Sequence, residues 1–535
     1  MGPGKKYRKQ HKYVSTTFSK FLFILQGDHG TAVVINPDQL SYDERILYKS
    51  LREKYGFNTF VSDLISPHRS PGILLHEQCR QLTYTVSDQV SVIIAFRNEY
   101  WSVLLRTIHS ILNRTPPHLL REIILVDDGS DDDALKGKLD IYVSYLRNVR
   151  ILRRKNSTGL MSAKQHGIDQ SHTDIIVVMD SHHEVADVWL EPLIDHLKKN
   201  PRTLVVPDVG IIDRDRFNIY ISDFNKTNFK VFAFDFNLDQ KVIPLKREYL
   251  ESREKFWASP IRIPSIIGNL FAANKTFFQK LGGFDTGMEI WGAEQMELSI
   301  KYILCGDGIY ALPCSKVVHL FRVIPWHLND KNVSNEYRVA EVWLDEYKHI
   351  FLEQKGDSKL KTGDVAARKR IREVNNCRPF KYYNKIANAL IDGYYIPGDN
   401  RVRGMIRLMN APDVCLDNGG KGGLYRCHSN GGNQVQLNYT TKLRIVIHTE
   451  NDMFAYLKYW ELTKDYELRH NYVCVVEGAK FKDCNPRKRV QWDYLKDNRI
   501  QLKGSDTCLS ATNNYTKIAL RLCSTSVKQL WIWKR

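Results

Sequence analysis

Ile175-Ile176-Val177-Val178-Met179, followed by Asp180-Ser181-His182-His183-Glu184, decides the fold of this chain. Five apolar residues, most of them β-branched, make the length of one buried strand. A carboxylate and an imidazole then stand two residues apart, placed to turn towards one point beyond the strand end. Open α/β sheets bind their ligands there. An oxygen and a nitrogen ligand suit a borderline divalent cation such as Mn²⁺, and a nucleotide diphosphate would add further oxygens. A polar turn closing a strand is the plain alternative.

Upstream, Val92-Ile93-Ile94-Ala95-Phe96 reads as another buried strand, and Asn98-Glu99 leads into a helix. Leu104, Ile108, Ile111 and Leu112 give that helix one apolar face. Pro116-Pro117 ends it. Ile123-Ile124-Leu125-Val126 forms the next strand and runs into Asp127-Asp128-Gly129-Ser130. Ile151-Leu152 offers a third strand, Gly159 to His166 starts a helix, and residues 175–179 are the fourth strand. This alternation predicts an α/β domain with a parallel sheet and crossover helices. Asp128 and the Asp180/His182 pair then share one sheet edge. Asp128 can accept from a nucleobase or ribose there, although Asp127-Asp128 could equally cap a helix. His319, in Pro313-Cys314-Ser315-Lys316-Val317-Val318-His319-Leu320-Phe321-Arg322, is the candidate third protein ligand.

A length of 535 residues implies more than one domain. The net charge of +18 fits an anionic partner: nucleic acid, a membrane surface or a sugar nucleotide. No zinc-finger, RRM or helix-turn-helix pattern occurs, so nucleic acid is not expected. Ten cysteines with no C-x-x-C pair argue against a zinc ribbon or a thioredoxin-like site. Together with sequons at Asn225, Asn274, Asn332, Asn438 and Asn514 they indicate an oxidising, secretory compartment. No apolar span near 20 residues occurs, and Phe21–Leu25 is too short for a signal core. Residues 1–80, basic and then broken by Pro37, Pro67 and Pro71, read as a stem wrapping the domain behind them.

From about residue 402 three units repeat: Cys415-Leu416-Asp417…Cys427…Gln434, Cys474-Val475-Val476…Cys484…Gln491-Trp492, and Cys508-Leu509-Ser510…Cys523…Gln529-Leu530-Trp531. Three such repeats predict a pseudo-threefold β-trefoil with closing aromatics in a shared core. They resemble ricin-type lectin repeats. Only the first keeps an aspartate, Asp417, with Tyr425, His428 and Asn433 to complete a sugar site. Val476 and Ser510 stand in its place in the others, which reads as structural. A folded spacer is the alternative for the whole module.

Taken together, these stretches resemble the polypeptide N-acetylgalactosaminyltransferases, which begin mucin-type O-glycosylation. The matches include Val92-Ile93-Ile94…Asn98-Glu99, Leu104 to Thr107, Glu122 to Asp128, Asp180-Ser181-His182 and Trp189-Leu190-Glu191-Pro192-Leu193. Further matches are Ile290-Trp291-Gly292-Ala293-Glu294, Pro313 to Arg322 and Ala340 to Tyr347. The resemblance implies a GT-A glycosyltransferase domain over 81–350, a linker over 351–401 and a lectin β-trefoil over 402–535. It implies UDP-GalNAc as donor, Mn²⁺ as cofactor, and Ser/Thr peptides and GalNAc-glycopeptides as partners, in the Golgi lumen behind a type II anchor. By position, Asp180, His182 and His319 would bind manganese, and Arg322 would steady the leaving UDP. Asp128 would face the uridine, with Gly268, Asn269, Trp291 and Glu294 on the sugar and acceptor side. Cys415–Cys427, Cys474–Cys484 and Cys508–Cys523 pair within repeats, and the resemblance adds Cys79–Cys314 and Cys305–Cys377.

The chain departs from the family pattern at several places. Gly268-Asn269-Leu270-Phe271 replaces Gly-Gly-Leu-Phe, and Trp291-Gly292-Ala293-Glu294-Gln295 replaces Trp-Gly-Gly-Glu-Asn. Phe96-Arg97-Asn98-Glu99 replaces Phe-His-Asn-Glu, with Ala95 for the usual threonine. Ser157-Thr158-Gly159-Leu160 replaces Arg-Glu-Gly-Leu, removing a cation near the nucleotide. Val323-Ile324-Pro325-Trp326 lacks the histidine before the proline. Two classes follow: an active transferase, or a protein without turnover that binds GalNAc-glycopeptides through its lectin repeat.

Overall fold

The structure, a computed structural model, describes residues 26–221, 229–236, 238–253, 257–268, 270–322, 330–355, 362–391, 400–416, 424–426, 460–463, 466–470, 473–484, 489–513, 515 and 517–534. Its contacts divide the chain into two units. One comprises residues 1–233, 240–345 and 360–383; the other comprises 234–239, 346–359 and 384–535.

The first unit is built on one large sheet. Its strands in chain order are β1 (Val90–Phe96), β2 (Leu120–Asp127), β3 (Val149–Arg153), β4 (Ile175–Asp180), β5 (His183–Val185), β6 (Leu204–Ile212) and β7 (Ile219–Tyr220). β8 (Lys230–Phe234) and β9 (Gln240–Pro244) pair apart from it; β10 (Ile261–Ile263), β11 (Leu270–Asn274) and β12 (Ile309–Leu320) complete it. The order is β10-β12-β6-β11-β4-β1-β2-β3, with β5 on β12 and β7 on β6. The expected parallel block is present as β4-β1-β2-β3, in continuous register apart from one shift between Val90 and Ser91 where β1 meets β2. β1, β2 and β4 are buried on both faces, as strands covered by crossover helices must be, whereas the edge strand β3 is only half-buried. The helix Trp101–Arg114 buries the expected Leu104, Ile108 and Ile111.

Beyond β4 the sheet is mixed, which the sequence reading did not anticipate. β11 runs antiparallel to both β4 and β6, and β6 and β12 are parallel to each other. β11 therefore begins at the edge where β4 ends, and β12 also finishes at that edge. β12 slips in register between Leu312 and Lys316, which pair with Pro207 and Asp208. Pro313-Cys314-Ser315 bulge out of the ladder there, and Cys314 is bonded to Cys79. Cys305 is bonded to Cys377.

Ahead of β1, the helix Tyr42–Tyr55 opens on a Ser41/Glu44 capping box and closes on Gly56 at φ 76°. Tyr55, Phe57, Val61 and Ile65 pack with Val103, Phe217, Val318 and Leu320. The early segment thus backs the residues on either side of His319. The stretch 351–401, read above as a linker, takes in the end of the helix Lys348–Lys355 and the whole of the helices Ala366–Val374 and Phe380–Leu390.

Among the described residues from 400 onwards the second unit is built of β-strands, with one short 3-10 turn at Val527–Gln529, as the repeats imply. Trp492 and Trp531 are completely buried in its core with Leu468, Val475 and Leu509. The Trp492 indole N–H donates to the carbonyl of Val475 (2.9 Å), and that of Trp531 donates to the carbonyl of Leu509 (2.9 Å). Val475 and Leu509 each follow the first cysteine of a repeat, so two repeats share one internal contact. Cys474–Cys484 and Cys508–Cys523 are bonded. Asp417, Cys427, His428 and Asn433 lie outside the described residues. Tyr425 is on the strand Leu424–Arg426.

Candidate active site

Glu99, Asp128, Asp180 and His319 arrive at one sheet edge because β1, β2, β4 and β12 all end there. Asp180, His182 and His319 present ligand atoms that lie within 4.8 Å of one another. His319 Nε2 is 3.7 Å from Asp180 Oδ2, and the rings of His182 and His319 are 4.7 Å apart. Both ring nitrogens of His319 are buried without a hydrogen-bond partner. An imidazole left so, beside a carboxylate and a second imidazole, fits a divalent cation. Burial pushes the His319 pKa down to about 4, so the ring is neutral and can ligate.

Buried polar side chains fix this set. Thr107 donates to the carbonyl of Ser181 (3.0 Å) and accepts from the backbone N–H of His183 (3.0 Å). Ser110, one turn further along the same helix, accepts from the N–H of Val185 (2.6 Å). Glu99, 2% exposed, accepts from Ser181 Oγ (2.7 Å) and lies 2.9 Å from His182 Nδ1. Arg322 grips it with two hydrogen bonds of 2.8 Å. Burial alone would raise the Glu99 pKa, but Arg322 and His182 outweigh it and hold the carboxyl well below the usual range. A carboxylate on Nδ1 leaves His182 Nε2 for a metal. Glu99 therefore orients both a candidate ligand and the candidate phosphate-binding arginine.

Lys164, 1% exposed, donates to Asp180 Oδ1 (3.0 Å) and stands 3.4 Å from the carbonyl of Gly268. Burial would raise the Asp180 pKa; Lys164 and the histidines bring it well below the ordinary value. The sequence reading missed Lys164, although its spacing from Met161 and Ile168 put a cation on the helix's buried stripe. Gly268 has φ 90°, and a Cβ there would approach Gln295 Cβ to 2.9 Å, so glycine is required. Asn269 and residues 323–326 lie outside the described residues.

Glu294 begins the helix Glu294–Cys305, accepts from the N–H of Gly292 (3.0 Å), and has its pKa raised by burial. The loop before it holds Ile290, Gly292 and Ala293 at positive φ, with Trp291 41% exposed at its tip. Asn335 clamps this loop, accepting from the N–H of Glu289 (2.9 Å) and donating to the carbonyls of Glu289 (2.8 Å) and Gly292 (3.1 Å). Asp285 anchors its approach by binding Arg338 at 2.6 and 3.0 Å. Burial would raise the Asp285 pKa, but the two arginines, Arg338 and Arg368, lower it overall. Its stabilisation is thus complete above the ordinary carboxylate value of about 4 and is lost as pH falls through the lower folded value. Asp285→Asn is expected to cost about 3–5 kcal/mol at neutral pH and to flatten the acid limb. Urea unfolding from pH 7 to pH 3 measures both; parallel native and variant curves would refute the assignment.

Asp128 reaches the expected edge, but the 157–159 loop already engages its oxygens. Ser157 Oγ (2.7 Å) and the N–H of Gly159 (3.0 Å) donate to Oδ2, and the N–H of Thr158 (3.1 Å) donates to Oδ1. Ser157, standing where the family pattern has arginine, thus ties its own loop to Asp128.

Residues 91–278 match the model of glycosyl transferase family 2, and residues 250–323 match that of the N-terminal domain of galactosyltransferase. Polypeptide N-acetylgalactosaminyltransferase 5 of Caenorhabditis elegans is 34% identical over 93% of this chain and 78% of its own. The human polypeptide N-acetylgalactosaminyltransferase 10 is 33% identical over 90% of this chain and 79% of its own. A crystal structure of GalNAc-T7 with UDP, GalNAc and Mn²⁺ superposes at a TM-score of 0.68 and 29% identity, covering 95% of this chain and 92% of that one. The GT-A domain, the metal-competent edge and the relatives agree: the chain is a glycosyltransferase that belongs to the polypeptide N-acetylgalactosaminyltransferase family.

Proposed function

We propose that the protein transfers GalNAc from UDP-GalNAc to Ser/Thr hydroxyls of polypeptides, retaining the anomeric configuration. The observation that carries this is the Asp180/His182/His319 cluster, on the sheet edge it shares with Asp128 and joined to Gly268 through Lys164. On this reading Asp180, His182 and His319 hold Mn²⁺, which supplies positive charge against the departing diphosphate. Arg322 adds a guanidinium from the Glu99 side, a second fixed positive charge where negative charge grows. Glu99 keeps His182 and Arg322 in place. Gly268 allows the sugar a close approach to backbone, beside Lys164 and Glu294, while Trp291 offers a face to the sugar or acceptor and Asp128 lies at the uridine end.

The substitutions at Asn269 and Ser157 leave the metal set intact. Losing an arginine contact to the nucleotide commonly costs about 1.5–3 kcal/mol, so the native chain is expected to be a slow transferase. Asn269→Gly with Ser157→Arg should raise turnover of UDP-GalNAc with mucin peptides by about tenfold or more. No transfer by either protein, folded and manganese-loaded, would favour the second reading, a GalNAc-glycopeptide-binding protein. The first repeat supports that activity in either case, with Asp417, Tyr425, His428 and Asn433 as its sugar-binding residues. Asp417→Ala is expected to abolish binding on a glycopeptide array, whereas Val476→Ala should leave it unchanged. Binding that survives loss of Asp417 would move the site elsewhere.

The cysteines and sequons support work in the secretory pathway, and we place it in the Golgi lumen. Among the described residues no helix is long and apolar enough to cross a membrane. Localisation of a tagged full chain against Golgi and endoplasmic reticulum markers tests the placement.

A further inference from the structure

His183 has no role in the site described so far, yet its ring is completely buried beside it. On β5 it is the cross-strand partner of His319, and the two ring centroids lie 4.6 Å apart, tilted by 52°. His183 Nδ1 is 3.1 Å from the carbonyl oxygen of Asp180. A carbonyl oxygen only accepts, so Nδ1 carries the proton and Nε2 carries the lone pair. That Nε2 is buried without a hydrogen-bond partner. His319 presents the complement. Its Nε2 is the nitrogen 3.7 Å from Asp180 Oδ2, on the metal side, which leaves Nδ1 as the second nitrogen, also buried without a partner.

We propose that His183 is a positioning residue for His319: its Nε2 accepts the Nδ1–H of His319 and so fixes which nitrogen His319 turns to the metal. An acceptor and a donor, each buried and each without another partner, lie on rings whose centroids are 4.6 Å apart across a strand pair. A hydrogen bond between them satisfies both. Histidines that ligate metals almost always donate their other N–H, and that partner sets tautomer and ring orientation. Here the acceptor is a second imidazole, itself held in one tautomer by the backbone carbonyl of Asp180. The chain Asp180 C=O, His183, His319 thus ends at the metal position that began with the Asp180 carboxylate. This inference rests on the metal reading of Asp180, His182 and His319.

The test is Mn²⁺ titration by calorimetry in the presence of UDP, with the native full chain, His183→Leu and His183→Gln. Leucine fills the space without an acceptor, and affinity should fall about 10- to 100-fold. Glutamine offers a carbonyl, and most of the affinity should return. Equal binding by the native and Leu proteins overturns the proposal, as does an equal loss in Gln and Leu proteins that melt like the native one. The apo native protein, labelled with ¹⁵N-histidine, gives a readout independent of variant folding. Signals assigned by their loss in His183 and His319 single variants should show both rings protonated at Nδ1. A His319 proton on Nε2 overturns the proposal. If the native chain binds no Mn²⁺ at all, the metal reading falls and this inference with it; equal binding by native and Leu proteins removes the role of His183 alone.

Discussion

His319→Ala should weaken Mn²⁺-dependent binding of UDP at least about 100-fold, beyond the loss typical of a supporting residue. The reason lies in how His319 is held. Its buried nitrogens have no hydrogen-bond partner apart from the one inferred at His183, so the effect of removing the ring should fall chiefly on the metal. Deleting a buried ring also leaves a cavity, which can destabilise. Asp180→Asn therefore serves as the isosteric companion: it keeps volume while removing the charge that faces Lys164 and both histidines. Calorimetry with and without chelator, alongside a melting curve, separates the effects. Native UDP affinity indifferent to chelator would sink the metal assignment, however the variants behave.

Glu184→Gln is expected to cost about 3–5 kcal/mol of stability, as much as breaking the Asp285 pair. Arg69, with no exposed side-chain surface, donates to both Glu184 oxygens at 2.7 and 2.8 Å, and Arg106 lies 4.0 Å away. An amide keeps one acceptor oxygen but removes the charge, leaving two buried guanidinium groups without their carboxylate. Arg69 also donates to the carbonyls of Gly27 and Phe217, so the loss should loosen the early segment where it meets the sheet. Denaturant midpoints give the magnitude, and amide exchange over residues 26–70 gives the location. Asp88→Asn, which breaks an exposed pair with Lys198, is the control and should stay within about 1 kcal/mol. Similar small shifts in both variants would refute the buried-pair account.

The sequence displayed what depends on runs and spacing. β1, β2 and β4 appear as unbroken apolar runs because both faces are covered, and the polar residues just after them had to share an edge once the strands were parallel. β6 stayed hidden because Pro207 and Asp208 interrupt Leu204–Ile212, and Lys316 reaches that buried aspartate from the next strand. β12 stayed hidden because Pro313-Cys314-Ser315 break its periodicity at the register slip. Glu99 could be matched to a family pattern, but its grip on Arg322 joins residues 223 apart, and no local pattern encodes that pairing. Asp128 shows the opposite case: position was legible, whereas the three donors on its carboxylate depend on a loop conformation. The Trp492 and Trp531 contacts were foreshadowed, because a repeat in sequence is a repeat in geometry.

The bond between Cys79 and Cys314, spanning 235 residues, places a clock on biosynthesis. At about 5–20 residues per second, some 10–50 s pass after Cys79 leaves the ribosome before Cys314 follows. Cys305 emerges first, and its own partner Cys377 comes 72 residues later. Cys79 therefore meets the wrong thiol before the right one. A premature Cys79–Cys305 bond can be undone only by thiolate attack on one of its sulfurs. Cys314 sits in the slipped segment of β12, whose position is defined only once β12 lies beside β6. Sheet assembly must therefore come before the correct sulfur chemistry, and the yield of folded protein will depend on how quickly mispaired chains are reshuffled.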